Sequence, residues 1–168
     1  SEHAVRIVLS GANVTGVAFG FSANVVTDLD TTATQGSLPT FIKLANTLAG
    51  PNAMRFVPTL AANQSNGAHK WWRLALPSAL PALTDSGTTL SGIAYDYFNG
   101  TAILNSNSLT LGTTGVVGLG SDGRATTGDE PSLTGVAAPE LELMPSVPVA
   151  YGLDINASTI AVERMAIY

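Results

Sequence analysis

The sequence predicts a mainly β fold with one α-helix, and three observations lead to that prediction. Charged residues make up only 11% of the 168 residues, so the charged and apolar heptads of coiled coils and long helical bundles are missing. Glycine is frequent, with 17 residues. Short alternating apolar runs recur between Gly, Asn, Asp and Pro residues, which is typical of strands joined by turns. Strands this short and numerous suit either a sandwich or a solenoid of β coils.

The composition excludes several classes of function. The net charge of −5, with seven Lys and Arg residues, argues against binding to nucleic acid or anionic membranes. No cysteine is present, which removes disulfides, thiolate zinc sites and Cys nucleophiles. No apolar run reaches the roughly 18 residues of a membrane span, so we expect no membrane insertion. Few charges, many Ser, Thr and Asn residues and no Cys favour an extracellular or cell-surface protein.

The N-terminal residues predict a β-ribbon over 1–26, followed by a β-rich domain over 27–168. Val5, Ile7 and Leu9 alternate with their neighbours, and Val17, Phe19 and Phe21 do the same after the turn residues 11–13. A lone hairpin is marginally stable in water, so the apolar face of this ribbon needs a partner surface.

One capping helix is predicted over residues 38–49. Ser37 is placed to cap it, Pro39 stands in the first turn, and Gly50 with Pro51 ends it. Its apolar face consists of Leu38, Phe41, Ile42, Ala45 and Leu48. We expect this face to cover one end or flank of the β core.

The remaining chain predicts short strands. They are Met54–Val57, Trp71–Leu76, Thr88–Ile93, Thr101–Leu104, Ser108–Leu111, Gly115–Leu119, Glu140–Leu143, Gly152–Ile155 and Ser158–Ile167. The residues between the first two, 61–68, predict a polar loop. The last is mostly apolar, as expected of a strand covered on both faces.

The C-terminal region contains three motifs: Pro139-Glu-Leu-Glu-Leu143, Tyr151-Gly-Leu-Asp-Ile155 and the segment 158–167. Together they resemble the opening coils of right-handed parallel β-helix domains in large bacterial surface proteins. Gly36-Ser-Leu with Phe41-Ile and Ala45-Asn46 is similar to the helix that precedes such domains. Residues 7–21 resemble the last strands of a β-sandwich module of the carboxypeptidase-regulatory or Cna-B kind. The resemblance implies a short parallel β-helix or β-solenoid-like core in an adhesin-like protein. Because the chain stops at Tyr168, soon after those coils open, it also implies a final coil whose backbone groups need a partner.

Several motifs have a plain interpretation beside a chemical one. Gly118–Gly123 matches G-x-G-x-x-G, but no apolar helical face follows, so we expect a turn rather than a dinucleotide site. His69 and Asp85 lack the loop that a Ser-His-Asp system needs. Glu140 and Glu142 share a strand face, which suits acid/base chemistry or Ca²⁺, yet a solvated outer face is favoured. Asp129 and Glu130 form another acidic pair. We expect no catalytic residues, no metal and no cofactor.

Two aromatic groups are candidate ligand-binding residues. Trp71 and Trp72 point to opposite faces of a strand, so one belongs to the core and the other is free to stack on a sugar or a partner. Tyr95 and Tyr97 form the second group. These four residues are the predicted binding surface for surface glycans.

The predicted function is that of a non-enzymatic extracellular structural protein, which associates with copies of itself by strand addition into a ring or filament. The self-association residues are Val5, Ile7, Leu9, Val17, Phe19, Phe21, Ile160, Val162 and Ile167. Two alternatives stay open: a carbohydrate-binding or adhesive domain, and a polysaccharide lyase or hydrolase fragment that uses Glu140 or Glu142.

Overall fold

The computed structural model describes residues 10–11, 22–112, 120–124, 129–131 and 135–168. Within them the chain forms one α-helix and ten short strands, arranged in four small sheets. The elements are β1 (Val25–Val26), α1 (Leu38–Ala45), β2 (Arg55–Phe56), β3 (Gln64–Asn66), β4 (His69–Leu76), β5 (Thr89–Ser91), β6 (Thr110–Leu111), β7 (Val136–Ala137), β8 (Leu141–Pro145), β9 (Ala161–Glu163) and β10 (Met165–Ile167). The mainly β prediction is confirmed. The described ranges do not establish a closed barrel or a solenoid, so the β-helix stays a prediction.

Helix α1 begins where the sequence predicts. Ser37 Oγ accepts a hydrogen bond from the Thr40 backbone N–H at 3.3 Å, which satisfies a donor that has no partner within the helix. The predicted apolar face is largely correct, because Leu38, Phe41, Ile42 and Ala45 are each at most 2% exposed. Leu48 is the exception at 43%.

The helix ends at Ala45 rather than at residue 49. Asn46 follows it and is tied to a distant segment of the chain. Its Nδ2 donates to the Ala82 carbonyl at 2.8 Å, and its Oδ1 accepts from the Thr84 N–H at 2.8 Å. These bonds hold the end of α1 against the residues that precede β5.

Most strand pairing is parallel. β1 pairs with β2, β5 with β9, and β8 lies between β4 and β10, all in parallel. The antiparallel pairs are β3 with β4 and β6 with β7. Parallel neighbours need long crossovers, so each of these pairs joins segments that are distant along the chain.

The parallel pairs and single bridges stack residues into four ladders. They are ladder A (Val26, Phe56, Ala94), ladder B (Ala53, Thr89, Ala161), ladder C (Trp72, Leu141, Met165) and ladder D (Leu83, Ile155). From Ala53 onward the chain contributes one residue to each ladder in the order B, A, C, D. From Thr89 it contributes a second residue to each ladder in the same order. It then re-enters ladder B at Ala161 and ladder C at Met165.

The core lies between the inner faces of these ladders and α1. In β4 the buried side chains alternate, with Trp72, Leu74 and Leu76 at most 4% exposed. The Trp72 ring meets Phe56 edge-on, with centroids 5.7 Å apart, and its Nε1 donates to the Leu60 carbonyl at 2.9 Å.

Four predicted elements differ from those observed. Thr101–Leu104 and Gly152–Ile155 contribute only single bridges, at Ile103 and Ile155. Ser158–Ile167 is two strands, β9 and β10, separated by Arg164, whose φ is +54°. The predicted loop 61–68 contains β3, which forms a hairpin with β4 around a two-residue turn at 67–68.

Of the N-terminal ribbon predicted over 1–26, residues 1–9 and 12–21 lie outside the described residues, as does the predicted strand Gly115–Leu119. The end of that range forms β1, which pairs with β2. The segment Gly118–Gly123 is described from residue 120. There it forms a turn that is closed by a hydrogen bond from the Gly123 N–H to the Gly120 carbonyl at 3.0 Å.

Candidate functional site

The final turn of the ladders, formed by β9, β10 and the residues before them, is the main candidate site. Among the described residues β9 pairs only with β5, and β10 lies at the edge of its sheet beside β8. One side of each strand therefore carries no strand partner from the described chain, and such an edge presents backbone donors and acceptors for further pairing.

The apolar side chains become much more exposed to solvent at this edge. Leu90, Leu143 and Leu83 are each 0% exposed. Their register partners one layer further on, Val162, Ile167 and Ile155, are 38%, 41% and 41% exposed. Equivalent positions thus change from core to surface within one layer. We call this surface, formed by Ile155, Val162 and Ile167 with the edges of β9 and β10, the open end.

The opposite end of the stack is covered. β1 is the outermost strand of ladder A, and α1 packs against it. The buried face of α1 belongs to the same apolar core as Val26 and Phe56. The molecule therefore has two unlike ends, one closed by a helix and one open.

Gly92 fixes the course of the chain at the open end. Its N–H donates to the Glu163 carbonyl at 2.9 Å. A Cβ at this position would lie 2.2 Å from the Arg164 carbonyl oxygen, so only glycine permits the approach. The chain bends at Arg164 directly above Gly92 and passes from ladder B to ladder C.

A cleft of about 210 Å³ adjoins the open end on the outer face of β4, β8 and β10. Its lining residues are Asn66, His69, Trp71, Asn107, Leu109, Leu111, Ala138, Pro139, Glu142, Ala166 and Tyr168. We call it the Trp71 cleft. Trp71 is partly exposed and Tyr168 is 68% exposed, so the cleft has aromatic walls that solvent reaches.

Glu142 organises the floor of this cleft although it is only 5% exposed. Its Oε2 accepts from Trp71 Nε1 at 2.6 Å and from Arg73 Nε at 2.7 Å, and its Oε1 accepts from Arg73 Nη2 at 3.2 Å. The hydrogen bonds and charge of Glu142 raise the pKa of Arg73. The pair is neutral overall and fixes the indole plane.

Glu140 is buried as well, at 1% exposed. Its Oε1 accepts from the Asn107 N–H at 2.9 Å, whereas its Oε2 is buried without a hydrogen-bond partner in the described part of the chain. Burial raises the pKa of Glu140, against smaller opposing effects from Asn107 and from the charge of Arg164. The expected solvated outer face for Glu140 and Glu142 is therefore wrong, because residues distant in sequence cover both side chains.

The other predicted site residues lie elsewhere. Trp72 is the core member of its pair, and Trp71 is the one that reaches the surface. Tyr95 packs under the Arg55 guanidinium at 4.1 Å, and Tyr97 stacks on Phe98 with centroids 3.9 Å apart; neither tyrosine lines the cleft. Ile160 is partly buried against the core.

The remaining candidates are separate from the open end or undescribed. Val5, Ile7, Leu9, Val17, Phe19 and Phe21 lie outside the described residues. His69 Nδ1 lies 3.1 Å from Ser108 Oγ. Asp85 accepts from Thr88 Oγ1 at 2.7 Å and from Asn52 Nδ2 at 3.0 Å, bonds that lower its pKa. His69 and Asp85 thus have different partners.

No protein-family model, curated protein or solved structure matches this chain. Within the described ranges, no helix has both the length and the apolar character needed to cross a bilayer. The open end and the Trp71 cleft are the two candidate functional surfaces of the described chain.

Proposed function

We propose that this chain is a non-enzymatic structural protein of the cell exterior that associates with copies of itself by strand addition at the open end. The observation that carries the proposal is the loss of burial at that end. Val162 and Ile167 occupy ladder positions whose preceding members are fully buried, and they lie on strands with one unpaired side in the described chain. Addition of a strand there would bury these side chains and satisfy the edge backbone groups.

The proposed architecture is a short parallel β-helix capped by α1. The repeated order of ladders B, A, C and D supports it, because a coil that visits the same sheets in the same order adds one layer per turn. The resemblance of residues 139–167 to the opening coils of bacterial β-helix domains agrees with this order and with an extracellular location.

The proposed donor is the N-terminal ribbon of a neighbouring copy. In the sequence, Val5, Ile7 and Leu9 alternate as an apolar strand face that requires cover. Since the open end differs from the α1 end, the contact is heterologous, and repetition produces either a ring or a filament.

Sedimentation velocity over a concentration series tests the proposal. The full chain is expected to associate, and the double change Val162→Lys with Ile167→Lys is expected to shift it to monomer, because Lys guards strand edges. Leu60→Lys is the matched control, since Leu60 is 59% exposed but lies away from β9 and β10. A folded monomer at all concentrations, unaffected by removal of residues 1–21, would contradict the proposal.

The Trp71 cleft favours a second candidate function, the binding of neutral glycans. Indole and phenol rings stack on the apolar faces of sugars, and the Arg73–Glu142 pair leaves the floor without net charge. A glycan array with the wild-type chain and Trp71→Ala tests it, with Tyr97→Ala as the control aromatic outside the cleft. Binding that survives Trp71→Ala would count against this candidate.

A further inference from the structure

A buried carboxylate, that of Glu130, lies in the described part of the segment 120–131. Glu130 is 8% exposed, and among the described residues neither of its carboxylate oxygens has a hydrogen-bond partner. The salt bridge of the described residues joins Arg73 to Glu142 and does not involve Glu130. A carboxylate removed from water is costly unless a charge or hydrogen bonds compensate it, so this side chain is a candidate ligand for a cation.

Two further carboxylates converge on Glu130. One oxygen each from Asp122, Asp129 and Glu130 lie within 4.8 Å of one another. Asp129 is held in place by the preceding turn, since its Oδ2 accepts from Ser121 Oγ and from the Asp122 N–H. The Ser121 hydroxyl lowers the pKa of Asp129, which keeps this carboxylate ionised.

Gly120 permits this convergence. A Cβ at Gly120 would lie 2.1 Å from Asp129 Oδ1, so another residue here would displace either the Asp129 carboxylate or the turn from their present contact. The turn itself is closed by the bond from Gly123 to Gly120. The two segments that carry the three carboxylates are therefore fitted against each other.

We propose that Asp122, Asp129 and Glu130 form a calcium-binding site. Calcium takes oxygen ligands at about 2.3–2.6 Å, so two ligands of one ion lie up to about 5 Å apart, and oxygens within 4.8 Å of one another are close enough to share an ion. Magnesium requires shorter bonds, of about 2.0–2.1 Å, in strict octahedral geometry. Carboxylate oxygens without imidazole or thiolate are typical of hard cations rather than of zinc.

The bound ion would neutralise Glu130 and fasten the turn at residues 120–124 to residues 129–130. Calcium binding would then stabilise this region independently of self-association at the open end. A free carboxylate at Glu130 destabilises the metal-free protein, so Glu130→Gln has opposite effects on stability in the absence and the presence of calcium.

Two measurements on the full chain test the site. Isothermal titration calorimetry measures the binding of CaCl₂ or MgCl₂, and thermal unfolding compares the Tm in EDTA with the Tm in millimolar CaCl₂ or MgCl₂. Calcium is expected to bind and raise the Tm of the wild type, with at least tenfold weaker binding of magnesium. Glu130→Gln is expected to weaken calcium binding at least tenfold, remove the Tm rise and melt above the wild type in EDTA. Asp96→Asn, the same carboxylate-to-amide change in the segment between β5 and β6, is expected to keep the calcium response.

Three results would overturn the proposal: no calcium-dependent heat or Tm shift in the wild type, unchanged calcium affinity in Glu130→Gln, or equal affinity for magnesium. If Glu130→Gln does not fold, Asp129→Asn takes its place, because Asp129 is exposed and its replacement leaves the buried position intact. Retention of wild-type calcium affinity in Asp129→Asn would equally overturn the assignment.

Discussion

Glu140 shows how a single buried side chain contributes to the pH dependence of stability. Burial raises its pKa, and its Oε2 lacks a hydrogen bond in the described chain. Because the folded-state pKa lies above the unfolded one, the folded protein binds the proton more tightly. This contribution to stability is present below the unfolded pKa and is lost as the pH rises through the folded-state value.

We therefore expect Glu140→Gln to stabilise the protein at pH 7. The amide oxygen keeps the bond from the Asn107 N–H, and the ionised form no longer has to be buried. A gain of about 1 kcal/mol corresponds to a Tm rise of roughly 2–4 °C for a chain of this size. The gain should shrink as the pH approaches about 4 and both proteins become neutral at this position. A lower Tm for Glu140→Gln at pH 7 would contradict this account.

The buried Arg73–Glu142 pair predicts that loss of the Arg73 charge alone destabilises the protein more than loss of both charges. Glu142 is 5% exposed, so Arg73→Met leaves a buried carboxylate with the Trp71 N–H as its main partner. We expect Arg73→Met to cost about 2–3 kcal/mol in the free energy of unfolding, near the lower limit for breaking a buried pair, because Arg73 is itself partly exposed.

Adding Glu142→Gln to Arg73→Met should then recover part of that loss, because the unpaired charge disappears. Urea unfolding of the two single variants and the double variant measures the coupling. Additive losses in the double variant would show that the pair does not act as described.

Among the secondary-structure elements, α1 covers one end of the core with its apolar face. Phe41 is 1% exposed and Leu48 is 43% exposed, although both fall on the apolar face predicted from the sequence. We expect Phe41→Ala to cost about 3–5 kcal/mol, from the lost transfer free energy and the cavity that remains. Leu48→Ala is the matched control and should change stability by less than about 0.5 kcal/mol. Equal denaturation midpoints for the two variants would contradict the capping role.

The elements that sequence periodicity predicts well are those that depend on local pattern. α1 follows from its cap and 3.6-residue spacing, and β4 and β8 follow from alternating apolar residues. The hairpin of β3 with β4 was not predicted, although Gly67 in its turn has a φ of +62°, a conformation that glycine favours.

Other features depend on contacts between distant residues and could not be predicted. The break between β9 and β10 occurs where Arg164 passes over Gly92, a contact across about half of the chain. Glu140 and Glu142 are buried because Asn107, Trp71 and Arg73 cover them. Local alternation identified the strand but not the segments that would cover its outer face.

At the scale of the whole molecule, the two ends of the ladders are unlike. Helix α1 covers β1 at one end, whereas Val162 of β9 and Ile167 of β10 are about two-fifths exposed at the other. A contact between the open end of one copy and a different surface of the next would be directional, head to tail, rather than symmetric. We propose the open end as the surface where copies of this chain associate.

Hydrogen–deuterium exchange of the full chain at increasing protein concentration tests whether the open end becomes buried on association. Peptides that cover residues 158–168 are expected to gain protection as the chain associates, together with the donor segment 1–21, while peptides of α1 stay unchanged. The claim is contradicted if association proceeds with no added protection at residues 158–168, or if the new protection appears on α1 instead.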